Sequence, residues 1–322
     1  MHDPTDLPLV THIFTADPSA HVFNGRLYIY PSHDRDTGIP SNDNGDQYDM
    51  QDYHVLSLAE VGGEVTDHGC ALSVNNVPWA SKQMWAPDAA CKDGKYYLYF
   101  PARDHHGLFR IGVAVGDCPE GPFVADPDYI AGTYSIDPCC FVDEDGAGYL
   151  YFGGIWGGQL QGWNSPDYDA TGKEPEGDAH ALMPRVARLA ENMRTLDGDA
   201  QTLAILDELG QPLKAQDHDR RFFEAAWMHR YNGKYYFSYS TGDTHCLVYA
   251  TGDSPLGPFT YQGRILEPVV GWTTHHSIVE FKGRWYLMYH DATLSKGQNH
   301  LRCVKMRELH YTAEGEIIPM NA

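Results

Sequence analysis

Five segments of the chain place aromatic and aliphatic residues at every second position, each directly after a turn that ends in glycine. They are FNGRLYIY (23–30), KDGKYYLYF (92–100), DEDGAGYLYFGG (143–154), YNGKYYFSYS (231–240) and FKGRWYLMYH (281–290). Period-two alternation behind Asn-Gly or Asp-Gly, or a close relative of them, is the pattern of a β-hairpin. A second repeat accompanies it: GDCPEGPF (116–123) and GDSPLGPF (252–259) each follow a strand-like run, IGVAV and CLVYA. Five units in 322 residues leave roughly 60 residues per unit, enough for a four-stranded blade and its connections. The pattern predicts an all-β, five-bladed β-propeller forming a single domain over 1–322. A sandwich would also supply hairpins, but the count and the spacing agree better with blades.

The turn glycines fall at 25, 94, 146, 233 and 283, and the interval from 146 to 233 is the longest. It predicts an insertion at about 157–221. Within it PRVARLAENMRTLDG (184–198) and AILDELGQPL (204–213) carry a modest helical pattern, and the remainder reads as loop.

Composition narrows the partners. With 23 Lys+Arg against 44 Asp+Glu the net charge is −21, and no basic patch interrupts it. Such a chain repels phosphate backbones and anionic headgroups, so neither nucleic acid nor a membrane surface is expected as a partner. No run of apolar residues is long enough to cross a bilayer as a helix. The opening MHDPTDLPLV lacks a basic n-region and an apolar h-region, so the expectation is a cytoplasmic protein, unless a leader has been removed. Seven cysteines without a CxxC spacing are expected to be reduced. The 21 Tyr, 12 Phe, 7 Trp and 17 His suit a β-rich fold with a site of stacking and polar rings.

Counting back from each turn glycine finds a chemistry-bearing residue in every unit: Asp17, Asp88, Asp137, Glu224 and His275. In a propeller the innermost strands start near the central axis, so these five are expected to converge. Carboxylates gathered at one point raise one another's pKa, a cost usually tolerated where proton chemistry or a metal uses it. Glu224 in FFEAAWMH sits among apolar and aromatic residues, a setting that favours the protonated form required of a general acid. Asp17 (ADPSAH) and Asp137 (SIDPCC) precede prolines, where a turn role competes with a catalytic one. Asp88, in WAPDAAC, is expected to support the propeller's centre. His275, beside His276 in TTHHSI, is a candidate ligand because of where it would lie.

The stretches 16–30, 84–100, 135–154, 222–240 and 273–291 together resemble glycoside hydrolase family 43, in order and over essentially the whole chain. The resemblance implies an inverting glycosidase acting on xylose- or arabinose-containing oligosaccharides. It implies Asp17 as general base, Glu224 as general acid, and Asp137 as the carboxylate that orients the acid and tunes its pKa. His275 would hold a central divalent ion, calcium first and magnesium as competitor, mostly through water. Trp85 and Trp156 are candidate sugar platforms, Arg302 a candidate grip on sugar hydroxyls, and Asp34 a candidate for the pocket mouth. The run 36–52, rich in acids, Gly and Pro, is expected to be a rim loop; it mimics an EF-hand but lacks the twelfth-position Glu.

The leading expectation is an exo-acting β-xylosidase that takes part in xylan degradation by releasing xylose from xylo-oligosaccharides, with α-L-arabinofuranosidase activity possible in the same pocket. One propeller without a carbohydrate-binding module, long loops that could wall off a pocket, and the absence of a visible leader all point that way. An α-L-arabinofuranosidase or an endo-arabinanase on the same fold is the alternative. A non-catalytic sugar-binding propeller is disfavoured, since it has no use for three acids at its axis.

Overall fold

The computed structural model describes residues 7–164 and 167–321; Ser165 and Pro166 of the expected insertion and most of the opening MHDPTDLPLV lie outside them. Blade 1 is β1 (Phe14–Phe23), β2 (Arg26–Asp34), β3 (Asp52–Leu58) and β4 (Thr66–Ser73), hydrogen-bonded in that order. Blade 2 holds β5 (Ala80–Lys82), β6 (Asp88–Lys92), β7 (Lys95–Asp104), β8 (Phe109–Gly116) and β9 (Val124–Ala125), with both β5 and β6 on β7. Blade 3 is β10 (Cys139–Val142), β11 (Gly148–Phe152), β12 (Arg185–Arg188) and β13 (Gln201–Thr202).

Blade 4 runs outward from β15 (Glu224–Tyr231) through β16 (Lys234–Ser240), β17 (Leu247–Gly252) and β18 (Phe259–Leu266), and the short β14 (Ile205–Leu206) adds in parallel to β18. Blade 5 is β19 (His276–Phe281), β20 (Arg284–Asp291) and β21 (Cys303–Leu309). The innermost strands touch in cyclic order β1, β6, β10, β15, β19 and back to β1. The ring is latched by early chain against late: the Leu9 N–H donates to the Val304 carbonyl and the Thr15 N–H to the Arg302 carbonyl, both at 2.9 Å. The five-bladed propeller is therefore realised.

The turns account for the repeat. Asn24-Gly25, Asp93-Gly94, Asn232-Gly233 and Lys282-Gly283 all have positive φ at both positions. That is the type I′ geometry whose twist matches the strands it joins. The alternate large side chains then fall in the core: Tyr30, Tyr99, Tyr151, Phe237 and Met288 are fully buried.

The interval after Gly146 differs from the expected insertion. PRVARLAENMRTLDG contains no helix; Leu150 pairs with Ala187 and Phe152 with Arg185, so this segment supplies the third strand of blade 3. AILDELGQPL supplies β14 instead, with Ile205 opposite Phe259. An open sheet edge offered these residues a ladder and a buried face, and tertiary pairing overrode a weak helical period. The longest excursion lies between Phe152 and Arg185, and it opens with two 3₁₀ turns, Trp156–Gly158 and Leu160–Gly162.

Candidate active site

Three acids reach one cavity because of local backbone departures from the regular strand. Asp17 lies at a bulge in β1 with φ 50°, Asp137 has φ 55° just before β10, and Ala225, next to Glu224, has φ 65° at a bulge in β15. Positive φ costs energy at non-glycine residues and persists only where neighbours enforce it. Here it turns each carboxylate out of its ladder toward the axis. The cavity has a volume of about 240 Å³ and is lined by Asp17, Asp137, Glu224, His275, Trp85 and Arg302, among others.

Asp17 is nearly fully buried and heavily partnered. Arg302 Nη1 donates to Oδ1 at 2.9 Å and Ser32 Oγ to Oδ2 at 2.5 Å. Its own N–H donates to His290 Nδ1 at 2.9 Å, which leaves the His290 Nε2–H for the Thr273 carbonyl at 3.0 Å. Burial pushes the Asp17 carboxyl up, but Arg302, His290, His275 and the Ser32 hydroxyl outweigh it, and its pKa falls to about 2. Glu224 goes the other way. Burial and the Asp17 charge, opposed by Arg302, raise it to about 8.

Asp137 is pushed well above the ordinary carboxylate range by burial and by the charges of Glu224 and Asp17, even though the Ala225 N–H donates to its Oδ2 at 2.7 Å. That bond runs to the residue following Glu224, so Asp137 fixes the backbone that carries the acid. Asp17 stays ionised while Glu224 keeps its proton near neutrality, which is the division of labour expected of a base and an acid.

His275 is buried, and neither ring nitrogen has a hydrogen-bond partner among the described residues; Nε2 lies 3.7 Å from Asp137 Oδ2. Burial lowers its pKa to about 4, so the ring is neutral and carries a free lone pair. Unsatisfied buried imidazole nitrogens are costly, and a hydrated divalent cation at the axis fits them. His276, by contrast, turns into the core and reaches Ser238 Oγ at 2.6 Å.

Trp85 and Trp156 both line the cavity. Trp85 is fixed by its indole N–H donating to the Tyr48 carbonyl at 2.7 Å. Trp156 packs against Phe223 and Trp272 at ring-centroid distances of 5.2 and 5.6 Å. Arg302 lines the cavity, as expected. Asp34 does not. It is buried beneath Arg302, accepting from Nε at 2.8 Å, Nη2 at 2.7 Å and the backbone N–H at 2.8 Å. The expectation that Asp34 lines the mouth is corrected: a bidentate guanidinium partner is worth more to this carboxylate than exposure. Asp88 lies outside the cavity, accepting from Ser19, His21 and the Cys140 N–H, and so ties blades 1, 2 and 3 together.

The sequence reading missed Ser32, Thr273, His290 and Arg103. His290 belongs to the repeated MYHD segment of the last blade, but nothing in the pattern marks it as Asp17's partner. Arg103 joins two rim segments, donating from Nη2 to the Asn44 carbonyl at 2.9 Å and to the Gly157 carbonyl at 3.4 Å. The segments meet so closely that a Cβ at Gly157 would stand 3.1 Å from the Asn44 carbonyl oxygen, and one at Gly45 2.5 Å from the Trp85 ring. The loop after Asp34 and the turn after Ile155 thus form one wall of the cavity.

Comparisons with known proteins agree with this geometry. The family model for Glycosyl hydrolases family 43 matches residues 7–317. A Xylosidase/arabinosidase 43A of Humicola insolens is 67% identical over 320 residues, covering 97% of this chain and 98% of the relative. A Beta-xylosidase of Xylanibacter ruminicola is 54% identical, covering 94% and 96%. Among solved structures, a GH43 beta-xylosidase/alpha-arabinofuranosidase from a compost microbial metagenome, in complex with xylotriose, superposes with a TM-score of 0.96 at 61% identity, covering 98% of this chain and 97% of that one. A cavity that sets a depressed Asp17 against a raised Glu224, in a propeller matched by the family model over residues 7–317, identifies the chain as a member of glycoside hydrolase family 43.

Proposed function

We propose that the protein is an inverting, exo-acting β-xylosidase that releases terminal xylosyl residues from short β-1,4-xylo-oligosaccharides and also accepts α-L-arabinofuranosyl ends. The observation that carries this reading is the opposite displacement of the Asp17 and Glu224 proton affinities within one small cavity. The names of the relatives, xylosidase/arabinosidase and Beta-xylosidase, supply the sugar.

An inverting hydrolase needs a base that deprotonates water on one face of the sugar and an acid that protonates the leaving oxygen on the other. Asp17 is ready as the base, because Arg302 and Ser32 keep it ionised and fix both of its oxygens. Glu224 is ready as the acid, because Asp17's charge and burial keep its proton on at neutral pH. Asp137, bonded to the Ala225 N–H, orients the acid by fixing the backbone next to it. Trp85 and Trp156 offer aromatic surface to a pentose ring.

His275 would hold a divalent ion, calcium or magnesium, largely through water. Such an ion would supply positive charge at the cavity floor that favours the ionised form of nearby carboxylates. The Asn44–Arg103–Gly157 wall supports exo action, since an open groove for an internal stretch of chain has no use for it. The test is a side-by-side rate comparison on xylobiose, arabino-oligosaccharide and linear arabinan. Xylobiose should be the best substrate and linear arabinan the poorest; preferential attack on linear arabinan would overturn the reading.

A further inference from the structure

Outside the cavity, on the exposed side of blade 1, His33, Asp52 and His54 each present a ligand atom within 4.8 Å of the other two. Their placement follows from the ladder. Ser32 pairs with Tyr53, so His33 and Asp52 follow as neighbours on β2 and β3, and His54 lies two residues from Asp52. His33 Nδ1 is 2.6 Å from Asp52 Oδ1, and the two imidazole rings lie 4.7 Å apart. Two of the side chains retain 20% and 27% exposure and the third 16%, so the cluster can be reached from solvent.

A second observation points to a ligand. His54 Nδ1 is held at 2.9 Å by Asp67 Oδ1, and Asp67 is itself held by His12 Nε2 at 2.7 Å and the Gly69 N–H at 2.8 Å. A carboxylate on Nδ1 fixes the tautomer and leaves the His54 Nε2 lone pair for a cation. This carboxylate–histidine arrangement is what supports imidazole ligands in metal sites. Two imidazoles and one carboxylate suit a borderline divalent transition ion, zinc above all, and not calcium or magnesium, which prefer all-oxygen shells. Zinc–ligand bonds are about 2.0–2.1 Å long, which sets tetrahedral donors about 3.3 Å apart; the His33–Asp52 pair, at 2.6 Å, would open around the ion and any wider pair close, with water completing the shell.

We infer that His33, Asp52 and His54 form a zinc-type metal site, separate from His275, that clamps the base of the pocket-rim loop. That loop is the chain between His33 and Asp52, and it supplies Ser41, Asn42, Gln47, Tyr48 and Met50 to the cavity lining. A cation bound at both of its roots joins the strand by which the loop leaves blade 1 to the strand by which it returns. His33 is also flanked by Ser32, which holds Asp17, and Asp34, which holds Arg302. The site stands on ligand chemistry alone and does not depend on the sugar the enzyme cleaves.

The experiment is zinc binding by the full chain after chelator stripping, measured by competition with a chromophoric chelator and by the visible spectrum with Co²⁺ in place of zinc. His275→Ala removes the axial imidazole and should leave the affinity and the Co²⁺ bands unchanged. His33→Gln and His54→Gln should each weaken zinc at least tenfold and abolish the bands, and Asp67→Asn should weaken it about 10- to 100-fold without removing a ligand. The inference is overturned if the wild-type chain binds no zinc at 100 µM, as a roughly chosen ceiling for a built site. It is equally overturned if zinc binding survives both His33→Gln and His54→Gln, or is lost in His275→Ala.

Discussion

Asp34 and Arg302 are 268 residues apart in sequence and share three hydrogen bonds, two through the guanidinium and one through the Arg302 backbone N–H. Through Nη1 the same guanidinium donates to Asp17 at 2.9 Å. The carboxylate proposed as the base is therefore held by an arginine whose orientation belongs to a second, fully buried acid. Breaking a buried pair by removing one partner costs about 3–5 kcal/mol. Asp34→Ala should lower stability by about that amount and cut kcat/KM at least tenfold, measured by urea denaturation and by steady-state rates on the folded enzyme.

The displaced proton affinities set a pH profile. Glu224 must carry its proton in the free enzyme, so kcat/KM should fall about tenfold per pH unit above a limb near 8. Asp17, held at about 2, should contribute no acid limb between pH 4 and 7. Initial rates on xylobiose from pH 4 to about 10 check both expectations.

The same displacement is linked to stability, and the sign is fixed. Glu224's pKa rises from 4.5 unfolded to about 8 folded, so its contribution is fully present below 4.5 and is lost as pH rises through 8. Glu224→Gln, which cannot ionise, should match the wild type in Tm at pH 4.5 and exceed it at pH 8 by roughly 2 °C or more. Thermal melts at the two pH values measure the gap.

Acid catalysis contributes about 10²- to 10⁴-fold. Glu224→Gln should lose that much on xylobiose, whose leaving alcohol needs a proton. It should lose far less on an aryl xyloside with an acidic phenol. Parallel kcat values on the two substrates make the comparison.

Arg103 ties the Asn44 and Gly157 carbonyls and touches no residue assigned to proton transfer. Arg103→Met should therefore raise KM for xylobiose several-fold while leaving the pH profile of kcat in place. Steady-state kinetics over a pH series separate the two effects.

What could be read from sequence divides along physical lines. Asp17, Asp137 and Glu224 were legible because each lies at a nearly constant distance from a turn glycine, and a propeller converts that register into convergence on its axis. Asp34 was misplaced because its guanidinium partner is distant in sequence and no local pattern announces a fork. Thr273 and His290 were invisible for the same reason, since their service to Asp17 exists only once blades 1 and 5 are adjacent, and Ser32 because the bulge that turns Asp17 toward it within blade 1 leaves no mark in the pattern. The segment 184–198 was misread because a weak helical period carries no information about the free edge of β11 that captures it.

The central claim is that Asp17 activates water on one face of the sugar while Glu224 protonates the leaving oxygen on the other. The most direct measurement is proton NMR of the xylose released from an aryl β-xyloside, the only sugar that reaction yields, recorded before mutarotation. The account predicts α-xylose as the initial product, and β-xylose appearing first would contradict it.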